Sequence, residues 1–250
     1  MRHFSSHGID IAFRGTGAGE PILLIHGFAS NSVVNWYSTG WVSALVDDGR
    51  RVIAMDVRGH GGSAKLHDPA AYRPPLMAGD AANLLDHLAI PQADVMGYSM
   101  GGRIAACLAL ERPDLVRALV IGGMGRNLVD GVGGEDEIAA ALEAPAGVPI
   151  ADAVARNYRA FAERTGGDLK ALAACMRGQR EMIAAERLAH IRAPVLVAVG
   201  SDDATAGSAA GLAALISGAE AFDIAGRDHM RATGDNRFKA AVLDFLRRRP

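Results

Sequence analysis

Ser99 stands in Gly97-Tyr98-Ser99-Met100-Gly101, followed at once by Gly102. An apolar run (residues 93–96) precedes this segment, and a helix-like run (residues 103–111) follows it. A G-x-S-x-G sequence so flanked reads as a strand, a sharp turn with the serine at its tip, and a helix. Small residues let the backbone turn tightly, and the helix directs free N–H groups at the same point. A serine hydroxyl is a poor nucleophile. It needs a base, and the base needs an acid to hold its tautomer.

His229 is the histidine best placed to be that base. His3 and His7 fall in an N-terminal hairpin, His26 and His60 in glycine-rich loops, His67 in a polar loop, and His87 and His190 near helix ends. His229 lies in Gly226-Arg227-Asp228-His229-Met230, after the last short strand and before the final helix. That is the sheet edge at which the serine turn also belongs. A buried-strand run ends in Gly200-Ser201-Asp202-Asp203, which offers two carboxylates and completes the order serine, acid, histidine. An oxyanion formed during acyl transfer must meet preorganised N–H donors. The N–H of Met100 is one candidate. The other comes from Ile25-His26-Gly27-Phe28-Ala29, where Gly27 permits close approach and Phe28 offers its N–H while its ring lines the pocket. Trp36, Tyr37 and Tyr98 are candidate pocket residues, with core packing as the alternative reading of each.

The elements needed to position these residues are legible. Residues 2–5 and 9–14 form a hairpin, and residues 21–25, 51–55, 93–96, 115–121 and 194–199 read as buried strands. Helices are expected at 41–48, 76–88, 103–111, 208–216 and 236–248, with a short strand at 221–224. Alternating strands and helices predict an α/β protein with a mostly parallel sheet. Residues 122–134 read as glycine-rich turn material. No strong strand appears from 122 to 191; helices at 135–143, 150–164, 169–177 and 181–190 predict a small helical cap. The division expected is a core of residues 1–122 and 191–250 with a cap of residues 123–190 inserted in it.

Composition narrows the functional classes. The chain has 250 residues, half of them hydrophobic and 22% charged, which fits one globular domain and argues against disorder. A formal charge of -2 and the absence of a long basic tract argue against nucleic acid as a partner. Arg247-Arg248-Arg249 reads as a solvated chain end. No signal-peptide pattern and no membrane-length apolar run are expected. Cys107 and Cys175 read as buried free thiols of a reducing compartment, which makes the cytoplasm the expected location. Neither a phosphate-loop lysine nor a metal-ligand cluster stands out, so no cofactor and no metal are expected. The expected partner is a small-molecule substrate, with oligomeric state open.

With these residues assembled, the sequence resembles the α/β-hydrolase superfamily, in particular its cap-bearing, single-domain, esterase-like branch. The resemblance covers residues 21–245. It rests on His26-Gly27-Phe28, Asp56-Val57-Arg58-Gly59-His60-Gly61-Gly62-Ser63, Gly97-Tyr98-Ser99-Met100-Gly101-Gly102, Gly200-Ser201-Asp202-Asp203 and Gly226-Arg227-Asp228-His229. It implies an α/β-hydrolase fold with Ser99 as nucleophile, His229 as base and Asp203, three residues after Gly200, as acid. Asp202 is the alternative acid, because the proline usual after this motif is replaced here by Ala204-Thr205-Ala206-Gly207. It also implies that residues 56–63 form a structural loop, with Arg58 tying loops together and His60 bracing rather than acting as a second base. Serine rather than aspartate at position 99 argues against the epoxide hydrolase and haloalkane dehalogenase branches. The expected activity is hydrolysis of a small or medium uncharged carboxylic ester through an acyl-enzyme. The alternatives are carbon–carbon bond hydrolysis of a diketone-type substrate and a non-catalytic ligand-binding protein of this fold.

Overall fold

A strand covered on both faces has no polar side, and the central runs of this chain fit that description. The computed structural model describes residues 1–179 and 181–249. Its strands are β1 (Arg2–Ser6), β2 (Ile9–Thr16), β3 (Glu20–Ile25), β4 (Arg50–Met55), β5 (Ala93–Tyr98), β6 (Val116–Gly122), β7 (Val195–Gly200) and β8 (Glu220–Ile224). They form one sheet in the order β1-β2-β4-β3-β5-β6-β7-β8. β1 runs antiparallel to β2 and β2 antiparallel to β4, whereas all the other neighbouring pairs are parallel.

The helices are α1 (Trp41–Asp47), α2 (Pro74–His87), α3 (Met100–Glu111), α4 (Asn127–Asp130), α5 (Glu135–Glu143), α6 (Ala153–Arg164), α7 (Leu169–Gly178), α8 (Ala185–Leu188), α9 (Ala209–Ala213), α10 (His229–Ala232) and α11 (Asn236–Arg248). Successive strand residues point to opposite faces, so each central strand feeds two cores. Leu23 and Ile25 join Leu84, Leu85 and Ile104 on one face. Ile22 and Leu24 join Trp41, Leu45, Phe238 and Val242 on the other. The fold is therefore α/β, with a mostly parallel sheet flanked by helices.

Helices α4 to α8 form the helical cap region between β6 and β7. Two of them start where aspartates cap them: Asp152 accepts from the N–H of Ala155 at 2.6 Å, and Asp168 from that of Ala171 at 2.9 Å. Three details depart from sequence expectation. The glycine-rich stretch contains the short helix α4. The helix expected at 150–164 begins only at its cap, Asp152. The one expected at 181–190 shrinks to α8, because residues 181–184 are non-helical and bury Ile183. Tertiary packing outweighs helix propensity there.

The arginine run near the C-terminus is a further correction. The Arg249 side chain is only 9% exposed; its Nε donates to Asp94 Oδ1 at 2.8 Å, and it also pairs with Glu20. Arg50 and Arg117 converge on the same Asp94 carboxylate. Arg247 pairs with Asp48, and Arg248 with Glu220 and Asp244. The run is a clasp across the strand ends opposite the serine turn, not a solvated tail.

Candidate active site

β5 ends at Tyr98, and α3 begins at Met100, so one residue must reverse the chain. Ser99 does so with φ 54° and ψ −117°, a left-handed conformation that costs a non-glycine residue about 1–3 kcal/mol. Two glycines make the turn possible. A Cβ at Gly97 would strike the backbone of Gly101, and one at Gly101 would strike the carbonyl of Ile25. The turn thus packs directly on the end of β3. That strand and β5 are neighbours, while the chain leaves β3 toward β4 on the other side; this is the topological switch point where open α/β sheets bind ligands.

The loops after β7 and β8 bring the remaining groups to Ser99. The Ser99 hydroxyl donates to His229 Nε2 at 3.0 Å, and His229 Nδ1 donates to Asp203 Oδ2 at 2.7 Å. Asp203 Oδ1 accepts from the N–H groups of Thr205 and Ala206, at 2.9 and 3.0 Å. The Asp203 side chain is fully buried, and these bonds fix its orientation. Asp202 instead is exposed and accepts from the hydroxyl of Ser201. The structure therefore brings Asp203, not Asp202, to the imidazole.

The oxyanion candidates lie on two elements. Met100 is the first residue of α3, so its N–H has no intrahelical acceptor. Phe28 follows Gly27, whose own N–H is held by Asn35 Oδ1 at 3.0 Å. Behind this loop sit two neutral histidines. His26 Nδ1 donates to the Gly27 carbonyl, and its Nε2 accepts from the N–H of Val57. His60 Nδ1 donates to the Arg58 carbonyl, and its ring meets Phe28 edge-on at 5.7 Å. His60 thus packs between the Arg58 loop and the ring of Phe28. Arg58 grips Asp80 with Nε and Nη2, and the Ala71 carbonyl with Nη1, tying loop to helix.

Burial pushes the imidazole of His60 down to about 3, with the neighbouring His26 adding to the effect, and burial lowers His26 as well. The sign of the pH effect follows. Below about 6.5 the unfolded chain takes up protons on both rings that the folded chain resists, so stability falls as the pH drops, for His60 at about 1.4 kcal/mol per unit. For His60 this loss runs down to about pH 3; above 6.5 neither ring contributes. Urea midpoints measured between pH 7.5 and 4.5 should show the decline, and His60→Gln should make it shallower. An unchanged slope would refute the assignment.

A cavity of about 630 Å³ opens on Ser99. Gly27, Phe28 and Asn35 line it from the core, and Tyr158, Phe161 and Arg164 from the cap. Tyr98 also lines it, while its hydroxyl donates to the His229 carbonyl at 2.5 Å. The expectation for Trp36 is corrected. The wide helical turn at Val33–Tyr37 presents Val34 and Asn35 to the cavity and sends Trp36 into the second core, edge-on to Trp41 at 6.3 Å. Tyr37 lies outside the lining as well, its hydroxyl bonded to Thr16. Asn35 was not singled out from sequence; nothing in its type or spacing signals that it holds the N–H of Gly27. Among the described residues no cluster of three or more His, Cys, Asp or Glu side chains is arranged to hold a metal, and no helix is long and apolar enough to cross a membrane.

Comparison with known proteins gives a consistent assignment. Residues 20–141 match the family model for the alpha/beta hydrolase fold. Over 122 residues the chain is 38% identical to the 2-hydroxymuconate semialdehyde hydrolase of Pseudomonas sp. strain CF600, covering 49% of this chain and 42% of that protein. The chain thus matches less than half the length of such curated relatives. A hydrolase from Pseudomonas aeruginosa PA01 superposes with a TM-score of 0.80 at 26% identity, over 98% of this chain and 97% of the other. Est816, described as an N-acyl homoserine lactone degrading enzyme, gives 0.74 at 26%, over 98% and 99%.

Proposed function

The chain belongs to the α/β-hydrolase superfamily, in its cap-bearing, esterase-like branch, and on that premise we propose that it is a serine hydrolase of small carboxylic esters. The observation carrying this reading is the continuous hydrogen-bonded line Ser99–His229–Asp203 at the floor of a capped cavity. In the proposed reaction His229 takes the Ser99 proton while Oγ attacks the ester carbonyl carbon. The carbonyl oxygen becomes an oxyanion facing the N–H groups of Phe28 and Met100. The tetrahedral adduct collapses, the bond to the alcohol oxygen breaks, and His229 returns the proton to it. Water, deprotonated by His229, then cleaves the acyl-enzyme and releases the acid. Asp203 holds the imidazole with Nε2 toward the serine and stabilises its cationic form.

The likeness to Est816, described as degrading a lactone, supports the ester reading. A second reading, hydrolysis of a carbon–carbon bond next to a ketone, draws on the relative named for 2-hydroxymuconate semialdehyde, a molecule with no ester linkage. A fluorophosphonate probe should label Ser99, and simple aryl esters should turn over faster than vinylogous diketones. Failure to label Ser99 would overturn the serine-hydrolase reading. Fast diketone cleavage with negligible ester turnover would favour the second one.

A further inference from the structure

Among the described residues four arginines are buried: Arg50, Arg58, Arg103 and Arg159. A guanidinium taken out of water needs a counter-charge, because an uncompensated buried ion is costly. Three of the four have one. Arg50 pairs with Asp48 and Asp94, Arg58 with Asp80, and Arg159 with Glu163. Arg103 is the exception. It is only 6% exposed, and no carboxylate of the described residues forms an ion pair with it. Its Nη1 donates to the Gln179 carbonyl at 2.8 Å, just past α7, whereas Nε and Nη2 meet no acceptor among the described residues. Burial pushes its pKa below the usual arginine value, and the nearby Cys107 and Glu135 offset only part of that shift.

This arginine stands beside the nucleophile. It lies one helical turn beyond Ser99 on α3, and a helical side chain leans toward the N-terminus, back over the preceding turn. Arg103 and Ser99 accordingly wall the same void of about 60 Å³, together with Met100, Tyr158 and Gln179. His229 lines the outer cavity and not this void. The departing alcohol takes its proton from His229, so a group held in the void belongs to the half that stays on the serine. At roughly 10–15 Å³ per water-sized group the void holds about four, as many as a methylene plus a carboxylate. A carboxylate also suits the open donors, since a guanidinium can meet both of its oxygens with parallel hydrogen bonds. Glu135, in the first turn of α5, borders the void too; its charge opposes such a ligand without occupying the guanidinium.

We propose that Arg103 is a carboxylate-binding residue of the Ser99 site, and that the substrates are esters whose acyl half carries a second, ionised carboxyl group one or two methylenes from the ester carbonyl. The substrate thus supplies the counter-ion that Arg103 lacks within the protein; this deepens the serine-hydrolase reading and rests on it. kcat/KM should be measured for monoethyl malonate and monoethyl succinate beside their diethyl esters and ethyl butyrate. The half-esters should be favoured by at least about tenfold, the scale of one hydrogen bond to a charged group. Arg103→Met, of similar length and without charge, should erase that preference, and Arg103→Lys should keep part of it. Glu135→Gln removes the opposing charge and should enlarge the preference, chiefly through a lower KM.

Binding can also be read without turnover. Succinate, titrated calorimetrically into the parent protein, should bind at least about tenfold more tightly than its uncharged diamide. Glu135→Gln should tighten succinate further, a readout that holds even if neither Arg103 variant folds. Neutral esters cleaved as fast as half-esters, with succinate no better bound than the diamide, would overturn the proposal and leave the serine-hydrolase reading standing. A half-ester preference unchanged in Arg103→Met would overturn it as well. Arg103-dependent succinate binding, with no probe labelling of Ser99 and no ester turned over, would uphold the carboxylate site while the serine-hydrolase reading fails.

Discussion

Ser99→Ala should lower ester turnover by about 10⁴-fold or more, because it removes the atom that forms the acyl-enzyme. The same substitution should leave the fold intact. Alanine keeps the Cβ and hence the left-handed strain at φ 54°, and the lost hydroxyl has one partner, His229. Circular dichroism and thermal unfolding should match the parent. Ser99→Gly sharpens the test: glycine adopts this backbone freely, so stability should rise by about 1 kcal/mol while activity is equally lost. Near-parental hydrolysis by Ser99→Ala would remove the serine from the mechanism.

The second large effect separates the two neighbouring aspartates. Asp203→Asn should reduce kcat by about 10³–10⁴-fold, since an amide in that position no longer holds the imidazole in the required tautomer or stabilises its cation. The backbone N–H groups of Thr205 and Ala206 still find an oxygen acceptor in asparagine, so the loop should keep its shape. Asp202→Asn should change kcat by less than about twofold, as exposed substitutions away from such networks have small effects. Equal losses in the two variants would show that the carboxylates share the work through the loop rather than through His229.

What the sequence disclosed and what it withheld divide along a physical line. The serine turn, its flanking strand and the late histidine were legible because their geometry is local. Gly97 and Gly101 are required by atoms a few residues away or on the adjoining strand, and the order of the strand-end motifs follows the order of the strands. The choice between Asp202 and Asp203 was not local. It depends on which carboxylate the turn at 204–206 directs inward, and no proline was present to fix that turn. Trp36 was misread because its type suits a pocket and a core equally; a wide helical turn decides between them. The arginines at 247–249 looked solvated because Asp94, Asp48 and Glu220, their acceptors, are remote in sequence.

The contact between cap and core has a consequence for attempts to exchange specificity. The Tyr158 ring meets Phe28 at 5.8 Å, and the Thr165 hydroxyl donates to the carbonyl of Ala29 at 2.7 Å. Ala29 itself is held at φ 55°. The cap thus grips the segment that carries one of the two proposed oxyanion donors. Grafting a foreign cap onto this chain to change what it accepts would also change how firmly that donor is held. Selectivity and rate are not separable modules here, and a functional chimera would need to carry over both the aromatic ring at position 158 and the hydroxyl at position 165.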